Sequence, residues 1–504
     1  MSGIAIPIAF ALLLTSAHLL LLRGCYWVKG IYALLHYSIA LLLYTFLITH
    51  FSGDLFGADP GITLTAAYDH QAQSFLEGRA DIPASVIQWE AFYHDGNVVM
   101  YFGPFPAFVR MLLTSIWPEM FGLWARILAL SASCLWLLAY GLASEKLSQA
   151  LAPQRGLHQL LFSSMFFGLA LGTPLFFLLS ANTIYHEAIL WGVGFELLTL
   201  SLLCVGTQTG ALKVLLLSTL AGSALLSRVT CGLPLVLALS CLALWRVITA
   251  KGRHGRAALQ YCAALVPLVV AVLIMGAVNN QRFGSPYKAF DFAQYQHSIS
   301  HQIEHAQEIS LFSLQRLPEA LSLYFWPQAG ALSSQFPFVK PVHVRHSQPG
   351  LFFFDWSEFT LPFPLLSGTL ILGALCALAL SKKIWASAER AVVVFFGPCF
   401  FLQAFLLQLF FAVSYRYSAE FVPVLLFSWC LLKPATHAPS TPRTLVIVFG
   451  FLILGLWSAV VSVPAALAWT LTQWAVPAEF HEILRSSLLL ILGEIPEWAL
   501  KPPL

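Results

Sequence analysis

The sequence predicts an all-α polytopic membrane protein of about 12 transmembrane helices (11–13), with two long extracytoplasmic loops that carry short interfacial helices. Three observations predict it. Only 10% of the residues are charged and 59% are hydrophobic. A soluble domain carries roughly 25% charge, so lipid rather than water must cover most of this chain. Apolar runs of about 20 residues, the length that crosses a hydrocarbon core as a helix, recur along it. Lys and Arg gather in alternate turns between those runs. Helices are the expected form, because a segment in lipid must satisfy its own backbone N–H and C=O groups.

The runs are residues 4–22, 31–51, 120–143, 158–180, 185–206, 211–227, 229–248, 257–279, 360–381, 390–413, 417–433 and 444–467. Met1 to Pro7 contain no Lys or Arg, so the first run reads as a span rather than a cleaved signal. Arg23 and Lys29 separate the first two runs. Lys146 and Arg155 follow the third, and Arg246, Lys251, Arg253 and Arg256 the seventh. Lys382, Lys383 and Arg390 follow the ninth, and Lys433 and Arg443 the eleventh. These turns fall on one side, which the positive-inside rule makes cytoplasmic. The expected organisation is two spans over 1–51, a first outer loop over 52–119 and a six-span block over 120–279. A second outer loop over 280–359, a four-span block over 360–467 and an amphipathic outer segment over 468–504 complete it.

The net charge is only +3 and no basic block is present, so a nucleic-acid partner is not expected. Cys134, Cys204, Cys231, Cys241, Cys262, Cys376, Cys399 and Cys430 lie in apolar runs, and Cys25 in a short turn. Without a Cys-x-x-Cys pair they read as small buried hydrophobes rather than disulfides or metal ligands. Gly168 and Gly172 are spaced to pack helices closely.

The first loop holds most of the polar chemistry. Thr65 to Leu76 has helical periodicity with Gly78 as its stop. His94-Asp95-Gly96 reads as a turn followed by an extended piece from Val98 to Phe102. Pro104 and Pro106 then open a second interfacial helix that leads into the third span. In the second loop, His301-Gln-Ile-Glu304-His305, with His297, repeats a metallopeptidase spacing. A solvated or interfacial helix face is the plainer reading of that run. Tyr324, Phe325, Trp326, Phe352 to Phe354 and Trp356 read as interfacial anchors.

An acidic residue after an early span, a helix ending in Leu76-Glu77-Gly78, the Asp95-Gly96 turn and the Pro-rich re-entry resemble the first outer loop of GT-C membrane glycosyltransferases. Asn280-Gln-Arg282-Phe283-Gly284-Ser-Pro286 and Tyr415-Arg416-Tyr417 with Pro423 fit the same resemblance. That class includes the dolichyl-phosphate-mannose-dependent mannosyltransferases and the family 39 glycosyltransferases. The resemblance implies transfer of a sugar from a polyprenyl-phosphate donor to an acceptor hydroxyl at the extracytoplasmic face. The expected partners are membrane lipid, the lipid-linked sugar, and a glycan, lipid or protein acceptor, with no separate cofactor and no metal. No Asn-x-Ser/Thr sequon occurs, which fits a bacterial inner membrane with the site on its periplasmic face.

Such a transfer needs a base, cations for the phosphate and a groove for the lipid. A carboxylate at the lipid–water boundary suits the first task, because partial desolvation raises its basicity. Asp69 in the Tyr68-Asp69-His70 run is the preferred base, with Asp59 and Asp54 competing. Glu90, His94 and Asp95 are candidates to orient the acceptor, with Tyr68, His70 and Tyr101 beside them. Arg416 next to Tyr417 is favoured for the phosphate, followed by Arg228 and Arg79, since guanidinium groups grip phosphate oxygens in pairs. His186 and Glu187 open the fifth span, where ionisable groups are costly and therefore suggestive. Each residue also has a bland reading: a solvated helix face for Asp69, a turn former for Asp95, a snorkelling cation for the arginines. Two other functions fit the same layout, a transporter or flippase and a lipid-linked polysaccharide polymerase or ligase.

Overall fold

A segment in lipid must bond its own backbone, and helices dominate the chain. The computed structural model describes residues 2–22, 27–58, 63–152, 155–180, 182–204, 211–249, 254–288, 310–327, 353–354, 361–380, 387–430 and 441–472. Asp59, the His297 to His305 run, Trp356 and residues 473–504 lie outside the described residues.

The first helices are α1 Ser2–Leu22 and α2 Trp27–Ile48, which pair as a hairpin. The first loop then forms α3 Ala66–Leu76, one turn α4 Ala84–Ile87, the strands β1 Phe92–His94 and β2 Asn97–Val99, and α5 Phe105–Ile116. The bundle continues with α6 Ala125–Leu151, α7 Arg155–Leu171, α8 Pro174–Leu179, α9 Ile184–Cys204, α10 Ala211–Ser227 and α11 Val229–Thr249. Next come α12 His254–Ala264, α13 Val266–Phe283, α14 Leu317–Phe325, a two-residue β3 Phe353–Phe354, α15 Phe363–Leu366, α16 Gly368–Leu380 and α17 Ser387–Leu409. A two-residue β4 Ala412–Val413, a 3-10 turn Tyr415–Phe421, α18 Val422–Cys430 and α19 Thr441–Thr472 complete the described elements.

Among the described residues, eight of these helices are long and apolar enough to cross a membrane, and four shorter ones, Phe105–Ile116, Gly156–Leu171, Ala211–Ser227 and Gly368–Ala379, are apolar as well. The protein is therefore an integral membrane protein. Two expected spans are broken where the sequence holds a proline. Residues 158–180 divide into α7 and α8 at Thr173, because Pro174 lacks the N–H and disfavours a helical residue before it. Residues 257–279 divide into α12 and α13 at Leu265, just ahead of Pro267. The expected span 417–433 opens as the 3-10 turn and becomes α-helical only at Val422.

The Ile184–Leu203 window of α9 is wholly covered, against 28% for Ile4–Leu21 of α1. That contrast puts α9 at the centre, packed on α6 and α10, and α1 at the rim. The rim helices keep Leu20, Ile31, Leu273, Phe401 and Val446 exposed, a surface that only lipid solvates well. Gly168 and Gly172 do pack helices. A Cβ on Gly168 would strike the Thr369 side chain of α16, and one on Gly172 the Ser458 side chain of α19.

Candidate functional site

The first loop is tied to the bundle by two arginines. α3 turns Ala67, Tyr68, Asp69, Gln71 and Ala72 inward against α5. Arg110 of α5 is fully buried between this face and the start of α9. Its Nε donates to Asp69 Oδ2 at 3.1 Å, and its Nη1 and Nη2 donate to Glu187 Oε1 and Oε2 at 2.6 and 2.8 Å. The guanidinium lies 5.2 Å from the Tyr68 ring centroid. Asp69 Oδ1 accepts the Gly122 N–H at 3.2 Å. Burial works against the Arg110 charge, but Glu187 and then Asp69 outweigh it and hold the guanidinium above its ordinary range. Arg282 of α13 makes the second tie, donating to Phe102 O at 2.7 Å and to Gln71 Oε1 at 2.9 Å.

The hairpin β1–β2 pairs His94 with Asn97 across the two-residue turn Asp95-Gly96. Both turn residues have positive φ, 49° and 79°, as the tightest hairpin turn requires. The extended piece expected from Val98 to Phe102 is thus shorter, and its partner lies upstream. Gly284, the left-handed cap of α13, meets the hairpin: a Cβ there would stand 3.0 Å from His94 Nε2.

A second charged centre lies where this loop meets the helix ends. Glu90 Oε1 accepts the Tyr185 hydroxyl at 2.6 Å, and Trp89 Nε1 donates to the same hydroxyl at 3.2 Å. The Arg416 guanidinium stacks 4.2 Å above the Tyr185 ring and lies 5.2 Å from the Tyr417 ring. Arg228, at the junction of α10 and α11, lies 5.1 Å from the Tyr417 ring centroid and donates through Nε to Glu420 Oε1 at 2.5 Å. Tyr101 stacks on Phe102 at 4.2 Å. Burial raises its phenol well above the ordinary value, Glu90 and Tyr417 add to that, and Arg416 and Arg228 oppose it. Glu90 and Arg416 are buried, while the Arg228 side chain keeps 20% exposure.

Of the expected site residues, the structure gathers Glu90, Tyr101, Arg228, Arg416 and Tyr417 at this centre, and Tyr68, Asp69 and Glu187 around Arg110. The others go elsewhere. Arg79 pairs with Glu77 and Asp81 at the surface. Asp95 is an exposed turn residue, with His94 Nε2 3.4 Å from its carboxylate. His70 meets the edge of Phe121, and burial lowers its basicity despite Asp69. His186 is buried on Phe177, with Nδ1 3.0 Å from Leu178 O. Asp54 accepts the Phe56 N–H and shapes its own turn. Sequence reasoning missed Arg110, Gln71, Glu196, Gln403 and Glu420. Arg110 and Glu420 were visible as isolated charges in apolar runs, the signal that marked Glu187. Among the described residues no group of three or more His, Cys, Asp or Glu side chains could hold a metal ion.

No family model and no curated protein matches the chain. Solved structures of the Archaeoglobus fulgidus oligosaccharyltransferase are similar to it. The apo form aligns over 94% of this chain and 62% of that chain, at 15% identity and a TM-score of 0.47. The complex of that enzyme with an inhibitory peptide and a dolichol-phosphate aligns over 95% and 61%, at 14% identity and a TM-score of 0.43. The form tethered to an acceptor peptide aligns over 93% and 60%, at 17% identity and a TM-score of 0.43. The chain spans about three fifths of the length of these structures.

Proposed function

We propose that the protein is a membrane glycosyltransferase of GT-C type, with about 12 spans, acting on the extracytoplasmic face of a bacterial inner membrane. It moves a sugar from a polyprenyl-phosphate donor to a hydroxyl of a glycan, lipid or protein acceptor. The observation that carries this reading is the convergence of Arg228, Arg416 and Glu90 on one aromatic-walled centre at the loop end of the bundle. Two guanidinium groups on tyrosine faces suit a phosphate diester, and a carboxylate beside them suits a hydroxyl that must lose its proton.

The chemistry is a single displacement. A Glu90 oxygen takes the acceptor proton as the acceptor oxygen attacks the sugar's anomeric carbon. The bond from that carbon to the phosphate oxygen breaks, and its electron pair leaves with polyprenyl phosphate, whose charge Arg228 and Arg416 stabilise. One displacement inverts the anomeric configuration. Glu90 replaces Asp69 as the proposed base because it bonds the same Tyr185 on which Arg416 stacks, whereas Asp69 is bonded to Arg110 and the Gly122 N–H. Asp69 and Glu187 then act by holding Arg110, and through it the loop, in place.

Turnover of a radiolabelled polyprenyl-phosphate sugar by the purified protein in liposomes tests the reading. Glu90→Gln is expected to lower kcat by about 10²–10⁴-fold, the usual contribution of a general base. A Glu90→Gln protein with full activity alongside an inactive Arg416→Ala favours the polymerase or ligase reading. Movement of a solute with no donor consumed contradicts transfer.

A further inference from the structure

Behind Arg228 lies a group of buried polar side chains that the displacement does not use. Glu420 is fully buried: Oε1 accepts from Arg228, and Oε2 accepts from no described group. Glu196, fully buried in α9, accepts Gln403 Nε2 of α17 at Oε2, 3.3 Å away. Glu196 Oε1 and Gln403 Oε1 likewise accept from no described group. Gln403 Nε2 also lies 4.0 Å from Cys231 Sγ. Among the described residues, Arg228 donates to Glu420, Arg416 lies on the same turn as Glu420, and Glu196 is bonded by the neutral Gln403 amide.

An ionised Glu196 would be a fully buried charge bonded only to the neutral Gln403 amide among the described hydrogen bonds, which is costly inside the bundle. A proton on Glu196 removes that charge and supplies the missing donor, so Glu196 is the neutral acid and Glu420 with Arg228 the ion pair. The pair is lopsided. Glu420 is wholly covered, whereas the Arg228 side chain is 20% exposed and is the member that a ligand reaches. A ligand anion that claims Arg228 takes away the guanidinium that is hydrogen-bonded to Glu420.

We propose that binding of an anionic phosphodiester at Arg228 is coupled to uptake of one proton by Glu420. This rests on the reading that the arginine pair receives the donor phosphate. One proton from water bonds to a Glu420 oxygen, and Arg228 exchanges that carboxylate for phosphate oxygens. No other bond forms, and the site's net charge is unchanged. Arg228, Glu196 and Cys231 act electrostatically on Glu420, and its own turn adds Tyr415, Arg416 and Tyr417. The packed helix α9 carries Tyr185, His186 and Glu187 at its start; Gln403 of α17 is neutral and α8 has no ionisable side chain.

The full-length protein in detergent is titrated calorimetrically with a short-chain prenyl phosphodiester, whose single charge is constant across neutral pH. Two buffers of different ionisation heat count the protons. The expected result is one proton taken up per ligand, with Kd weakening by about tenfold per pH unit. Glu420→Gln abolishes the uptake and flattens Kd, and Glu196→Gln, which mimics the neutral acid, keeps both. Binding to the wild type without proton uptake overturns the coupling and leaves the phosphate site standing. Loss of uptake in Glu196→Gln with retention in Glu420→Gln overturns the assignment to Glu420. No binding by the wild type at any pH overturns the phosphate reading, and the coupling with it. The wild-type proton count decides even where Glu420→Gln does not fold.

Discussion

Arg110 is fully buried, so its charge rests on Asp69 and Glu187. Arg110→Met leaves two buried carboxylates facing each other, and the expected cost is about 3–5 kcal/mol, as for other broken buried pairs. Asp69→Asn keeps an acceptor for Gly122 and removes one of the two negative charges, so its cost is smaller. Thermal melting of the purified variants checks the order. If Asp69 is the base after all, Asp69→Asn loses turnover as severely as Glu90→Gln. His50 gives a pH signature. Burial and then Arg126 push its imidazole down to about 4, from roughly 6.5 when unfolded. The unfolded state binds more protons between those values, so this contribution is intact above about 6.5 and is lost as pH falls toward 4. The total is up to roughly 3 kcal/mol, and His50→Gln flattens that limb in chemical unfolding monitored against pH.

At the scale of elements, the site depends on close backbone approach. Gly103, just ahead of α5, lies against the carbonyl oxygens of Leu226 and Ser227, so a Cβ there would collide with the chain that presents Arg228. Gly103→Ala is expected to displace the loop from the α10–α11 junction and lower turnover by about 10²-fold, the effect of a displacement near 1 Å. Steady-state kinetics on the variant measures this. Much of the loop was legible. Thr65 to Leu76, the Asp95-Gly96 turn and the Pro104 restart carry short-range signals, and they appear as α3, the hairpin and α5. The pairing of side chains was not legible. Arg110 meets Glu187 and Arg228 meets Glu420 across long stretches of chain, and no local periodicity encodes which distant charge a buried arginine finds. That is why Asp69 could be singled out while its partner was missed.

For the whole molecule, composition settled the solvent, and the apolar runs located most helices, with breaks at Pro174, at Pro267 and at Ser367 and a 3-10 opening ahead of Val422. The sidedness rests on Lys and Arg placement alone. Single cysteines at Asp95 and Thr249, both exposed, test it in a protein whose exposed Cys241 and Cys262 are serine. A membrane-impermeant thiol reagent added to intact cells is expected to label position 95 and to reach position 249 only after permeabilisation. If Arg228 and Arg416 receive the donor phosphate with Glu90 beside the acceptor, a structure of the protein with a non-hydrolysable polyprenyl-phosphate sugar will have phosphate density between the two guanidinium groups and the sugar's anomeric carbon facing Glu90. Phosphate density elsewhere, or a sugar turned toward a different carboxylate, would contradict that arrangement.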